Sequence, residues 1–149
     1  MSRGAWFAAL ALTAALLVGC RAPPAPPEGG SPQDLQITVL RAGDGAAARS
    51  GDTVRVHYTG WLYDERLAGR KGESFDSSRP RGEAFSFPLG RGTVIRGWDE
   101  GVVGMKVGEV RELAIPADLA YGSRGAGGVI PPHQPLLFEV ELMAIEPSR

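Results

Sequence analysis

Within the body of this chain only one segment, VIRGWDEGVVGM (Val94–Met105), reads as a helix. It is short, and Gly97, Gly101 and Gly104 weaken it further, each by about 1 kcal/mol relative to alanine. A helix this short does not hold by itself and must be held by packing. Asp99 and Glu100 near its start suit the helix dipole. The rest of the body alternates or turns. LQITVL (Leu35–Leu40) alternates, and so does TVRVHYTGWLY (Thr53–Tyr63), with Val54, Val56 and Tyr58 on one face. EAFSFPLG carries Phe85 and Phe87 on one face and ends at Pro88 and Gly90. EVRELAIP carries Leu113 and Ile115. LLFEVELMAI, ending at Ile145, turns Phe138, Val140 and Leu142 one way and Glu139 and Glu141 the other. An antiparallel sheet with one apolar face needs a cover, and a single helix can supply it. The class predicted is therefore α+β. The 21 glycines and 12 prolines fit the turns such a fold needs. AGDGAAARSGD reads as a turn-rich loop, DERLAGRKGE as a polar loop or bulged excursion, and DLAYGSRGAGGVIPPHQP as a long irregular loop. No internal repeat is visible.

The first twenty residues read as an address. Arg3 precedes an apolar run, Ala5–Val18, too short for a comfortable membrane span, and small residues lead to Cys20. LVGC (Leu17–Cys20) resembles a lipobox. That resemblance implies a signal peptide, residues 1–19, cut before a cysteine that is then lipidated. The alternatives are an unlipidated signal or an uncleaved anchor that contains a cysteine. Residues 20–34 read as the lipidated cysteine followed by a Pro/Gly-rich tether, extended in its prolines and flexible at EGGS. Residues 35–149 form the domain.

Composition closes off several kinds of chemistry. A net charge of −1 gives no field for nucleic acid. With one cysteine and two separated histidines, His57 and His133, no metal-ligand spacing exists, and neither metal nor cofactor is expected. The domain has no G-x-S-x-G elbow, no cysteine nucleophile and no Walker loop. GAGG (Gly125–Gly128) does not lead from a strand into a helix, so it is a weak phosphate-loop signal. Acids alone neither make nor break a two-carboxylate glycosidase. The unusual feature is aromatic: Tyr58, Phe75, Phe85, Trp98, Tyr121 and Phe138. They fit a packed core, and they also fit an apolar cup with a few oriented polar groups.

VRVHYTGWL, SFDSSRPR, FSFPLGRGTVIRGWDEGVVGMKVGE and IPADLAYGSRGAGGVIPPHQPLLFEVEL together resemble the FKBP-type peptidyl-prolyl cis–trans isomerases, over about Leu35–Ile145. The resemblance implies a five-stranded antiparallel sheet curled around one short helix. It implies that Trp98 floors a prolyl pocket and that Tyr58, Phe85, Val94, Ile95 and Phe138 line it, with Phe75 beside them and Val129 and Ile130 as further apolar positions. The Ile95 N–H and the Tyr121 hydroxyl would each bond a substrate carbonyl. Asp76 would sit at the edge, in reach of Arg81. Catalysis would rest on Asp76, Tyr121, Ile95 and Trp98. The implied partners are proline-containing polypeptides and macrolides such as rapamycin, with the membrane reached through the lipid on Cys20. A monomer is expected, on the periplasmic side of the outer membrane of a Gram-negative cell.

Other readings stand beside these. Asp76 and Arg81 also fit a surface turn, IPPH a stiffened loop, and His133 a plain loop residue. The pocket also fits a proline-binding module without turnover, or a structural lipoprotein that uses the fold as a scaffold. Two departures from the compact pattern stand out. One is a longer stretch between HYTGWL and SFDSS. The other is small residues in SRGAGGVI, which imply a more mobile rim.

Overall fold

A computed structural model of the chain describes residues 27–146. The leader, Cys20 and the first part of the tether lie outside the described residues. Six strands and one α-helix follow in order: β1 (Gln36–Arg41), β2 (Thr53–Tyr63), β3 (Lys71–Ser77), β4 (Phe85–Pro88), α1 (Arg96–Gly101), β5 (Val110–Ile115) and β6 (Leu136–Glu146). All pairings are antiparallel, in the order β1-β5-β6-β2-β3, with β4 also on β2.

Five strands were expected and six are present: β3 starts inside DERLAGRKGE, expected as a loop or bulged excursion, and runs on to Ser77, which no strand was expected to cover. The sheet is still five positions wide. One edge of the long β2 pairs with β4 along Thr53–Val56 and with β3 along Thr59–Tyr63. The two short strands share a single edge position.

Alternation builds the core. Val54, Val56 and Tyr58 of β2 face inward with Leu113 and Ile115 of β5 and Leu136, Phe138, Val140 and Leu142 of β6, all of them buried. A register shift between Arg55 and Val56 sets Val56 opposite Leu142 and Val54 opposite Ile145, which leaves Met143 exposed between them. The other face carries a small buried apolar cluster of Tyr63, Ala114 and Leu137 and is otherwise ion-paired: Arg70 to Glu112, Lys71 to Glu139 at 2.5 Å, and both Arg41 and Arg79 to Glu141.

The helix is shorter than its sequence pattern. Val94 and Ile95 stay out of it, and Ile95 is extended at ψ 147°. The six residues that remain lie against β5 at a distance only glycine permits. A Cβ on Gly97 would stand 2.4 Å from the Ile115 side chain, and one on Gly101 2.9 Å from Leu113. The glycines that weaken the helix are what let it dock.

EGGS is not loose. The Gly30 N–H donates to the Pro27 carbonyl at 3.0 Å and the Glu65 N–H to the Gly29 carbonyl at 2.9 Å. Pro32 is buried. The longer stretch after β2 supplies the surface on which this segment rests.

Candidate functional site

A cavity of about 280 Å³ is lined by residues from β2, β3, β4 and β6, from two loops and from α1. β2 contributes Tyr58, the inward residue that follows Val54 and Val56. β6 contributes Phe138, which stands opposite Gly60 of β2. That glycine makes room: a Cβ there would lie 2.6 Å from Phe75 and 2.7 Å from Phe138. The Phe75 and Phe138 rings consequently meet edge to face, centroids 5.5 Å apart. Phe85 of β4, the segment Thr93–Ile95, Trp98 of α1 and Tyr121 complete the wall, with Asp76 at the end of β3 as the acid.

Trp98 sits at the centre of the aromatic set. Its ring is 5.1 Å from Tyr58 and 5.2 Å from Phe138, both near perpendicular, and 5.5 Å from Phe87. Only 4% of its surface is exposed. Aromatic pairs of this geometry contribute roughly 0.5–1.5 kcal/mol each beyond their area. The indole is thus core and cavity lining at once. Its Nε1–H is buried with no hydrogen-bond partner among the described residues. Such a donor costs about 1–3 kcal/mol, which the ring packing must outweigh.

Tyr58, Asp76 and Arg81 form a polar edge to the aromatic-lined cavity. The Tyr58 hydroxyl donates to Asp76 Oδ2 at 2.5 Å, Arg81 Nη1 donates to Asp76 Oδ1 at 3.1 Å, and Arg81 Nη2 reaches the Tyr58 hydroxyl oxygen at 3.3 Å. Burial alone would raise the Asp76 pKa. The bonds from Tyr58 and Arg81, with the arginine's charge, outweigh it and hold the carboxyl below the usual carboxylate range. Burial, and then the bond to Asp76, push Tyr58 up. Burial and the Asp76 charge do the same to Tyr121. Both phenols therefore keep their protons at neutral pH and act as donors. The Tyr121 hydroxyl and the Ile95 N–H have no partner among the described residues, while the Ile95 carbonyl accepts from Trp98 and Asp99. Asp99 also accepts the Gly90 and Gly92 N–H groups, each at 2.8 Å, and so ties the loop before Thr93 to the helix.

The structure brings Tyr58, Phe75, Asp76, Phe85, Val94, Ile95, Trp98, Tyr121 and Phe138 to one cavity. Arg81 stands just behind it, bonded to two of its members. Val129 and Ile130 do not line it in this structure: Val129 is 57% exposed, and Ile130 is buried in the same core cluster as Trp98 and Phe138, paired to Ala126 by an isolated bridge. Thr93 lines the cavity and was not anticipated. Its only sequence signal is its place just ahead of Val94 and Ile95. Among the described residues no group of His, Cys, Asp and Glu is placed to hold a metal ion.

Comparison with known proteins gives a consistent result. Residues 45–143 match the family model described as FKBP-type peptidyl-prolyl cis-trans isomerase. The chain is 50% identical over 112 residues to FK506-binding protein 1 of Dictyostelium discoideum, covering 75% of this chain and 98% of that one. It is 50% identical over 111 residues to an FK506-binding protein of Neisseria meningitidis serogroup A, covering 74% and 95%. The crystal structure of FkpA from Escherichia coli superposes with a TM-score of 0.66 at 42% identity, covering 77% of this chain and 49% of that one.

Proposed function

The chain belongs to the FKBP-type peptidyl-prolyl cis–trans isomerases, and we propose that it turns over X–Pro bonds in the cavity floored by Trp98, on proteins folding outside the cytoplasm. The observation that carries the assignment of the site is convergence. One aromatic-lined cavity collects the Trp98 indole, two donors without hydrogen-bond partners among the described residues (Ile95 N–H and Tyr121 hydroxyl) and a carboxylate fixed by two bonds.

The chemistry needs no nucleophile. The barrier to rotation, about 18–20 kcal/mol, is the resonance lost on twisting the peptide bond. Unaided X–Pro isomerisation takes tens to hundreds of seconds. The planar imide is more charge-separated than the twisted one, so an apolar wall of Phe85, Trp98 and Phe138 disfavours the planar ground state. An ionised Asp76 beside the imide carbonyl opposes the negative charge that planarity places on its oxygen. The Ile95 N–H and Tyr121 hydroxyl hold flanking carbonyls while the bond turns. Binding the twisted form better than either planar isomer lowers the barrier.

The same aromatic cavity would take a macrolide of the kind the relatives are named for. The leader pattern and LVGC motif support lipidation at Cys20 and a place on the periplasmic side of the outer membrane.

The decisive experiment is the cis-to-trans rate of a short X–Pro peptide with the detergent-solubilised full chain, with and without rapamycin. Acceleration abolished by the drug is expected. No acceleration by a folded chain would rule out turnover and leave a proline-binding module.

A further inference from the structure

Ser78 is fully buried, and it is a polar residue with nothing to do in the chemistry above. Its position explains why. In the β2–β3 ladder Thr59 faces Ser77 and Gly60 faces Asp76, so the next pair in register is Tyr58 with Ser78. A regular antiparallel pair would exchange two backbone bonds. Only one forms: the Ser78 N–H donates to the Tyr58 carbonyl at 3.0 Å. Ser78 has already turned out of the strand, at φ −80° and ψ −22°, and its carbonyl accepts the Arg81 N–H at 3.2 Å. The Tyr58 N–H, buried and deprived of that carbonyl, donates instead to the Ser78 hydroxyl oxygen at 2.9 Å.

We infer that Ser78 is a positioning residue of the isomerase: its side-chain oxygen replaces a ladder carbonyl, which frees the chain to turn and seat Arg81 on Asp76. This rests on the isomerase reading of the cavity. One residue thereby fixes three. It holds the Tyr58 backbone on both sides, it follows Asp76 by two positions, and it anchors the turn Arg79–Arg81 through its carbonyl. The turn returns the Arg81 guanidinium to Asp76 at 3.1 Å. His57 completes the arrangement from the opposite face of the sheet. Its Nδ1 lies 2.9 Å from the Ser78 hydroxyl oxygen. With Nδ1 as acceptor, the hydroxyl proton points at the imidazole and a lone pair is left for the Tyr58 N–H. An alanine at 78 would leave that N–H buried and unmade. A continuing strand would satisfy it, but would carry Arg81 away from Asp76.

The test is kcat/KM on an X–Pro peptide for the full chain and a double-mutant cycle. Ser78→Ala is expected to lower kcat/KM about tenfold, and Ser78→Thr, which keeps the hydroxyl, to stay within about threefold of the parent. If Ser78 acts through Arg81, adding Arg81→Gln to Ser78→Ala changes little beyond the worse single variant. A general loss of packing would instead multiply the two effects. Should Ser78→Ala fail to fold, His57→Phe in combination with Arg81→Gln reads the same coupling from the half-exposed side. Unchanged kcat/KM in Ser78→Ala, or multiplicative losses in either cycle, would overturn the inference. An inactive parent chain would instead overturn the isomerase reading, and the inference with it.

Discussion

In the proposed mechanism Asp76 is the charged group, and its ionisation is a balance of opposed effects. Burial favours the neutral acid, while bonds from Tyr58 and Arg81 favour the carboxylate and win. A group depressed in this way is charged through the neutral range and takes up its proton only below the unfolded carboxylate value of about 3.9. Its contribution to stability is present above that value and is lost as pH falls through the lower folded value. For kcat/KM the expectation is a flat profile from about pH 8 to 5, with a fall only in stronger acid. Arg81→Gln removes one bond and one charge and leaves burial to act, so its acid limb should move to higher pH. An acid limb that stays where the parent has it would mean that Arg81 does not hold the carboxylate. Tyr58, Asp76 and Arg81 were legible as a set only through the resemblance. They are brought together by a strand register and a turn, neither of which leaves a period in the sequence. The apolar character of Val129 and Ile130 was plain, but that one is exposed and the other buried is set by the path of an irregular loop, which no pattern of hydrophobicity reports.

Among the elements, β2 and the middle of β6 were readable because buried and more exposed residues alternate along them, so the pattern reports directly on the core; β5 was readable from Leu113 and Ile115, although Ala114 between them is buried as well. β3 was not. None of its seven residues is buried, and the register shifts on either side of Trp61 break its period. It is held instead by ladder bonds and by Lys71, whose Nζ sits 4.4 Å from the Trp61 ring centre and 2.5 Å from Glu139. The helix raises a sharper question, because two effects at Gly97 have opposite sign. Helix propensity says that Gly97→Ala stabilises by about 1 kcal/mol. Packing says that the new Cβ meets Ile115 at 2.4 Å, and overfilling a packed site costs about 1–3 kcal/mol. The contact is with a branched side chain buried in the sheet, so packing should win. A lower urea midpoint is expected, together with weaker macrolide binding, because Ile95 and Trp98 move with the helix. A midpoint raised or unchanged would show that the helix has room the geometry denies.

At the scale of the whole molecule, the pocket and the proposed lipid anchor are separable. Every cavity-lining residue lies between Tyr58 and Phe138. The described residues nearest the anchor, Pro27–Gly30, rest on Asp64 and Glu65, outside that set. The proposed tether would therefore meet the domain on a surface outside the cavity lining. Among the described residues no helix is long and apolar enough to cross a membrane. In the proposed arrangement, attachment rests on Cys20 and the acyl chains it would carry, each buried methylene contributing roughly 0.8 kcal/mol. Cys20→Ser removes the site of lipidation and nothing from the pocket. It should move the chain out of the outer-membrane fraction, end incorporation of labelled palmitate and leave kcat/KM on a short peptide unchanged. Clients presented at the membrane surface would be the ones to lose their catalyst, since what the lipid adds is local concentration rather than chemistry. If the serine variant still fractionates with the outer membrane, the anchor lies elsewhere and the lipobox reading of LVGC fails, while the isomerase assignment, which rests on residues 45–143, is untouched.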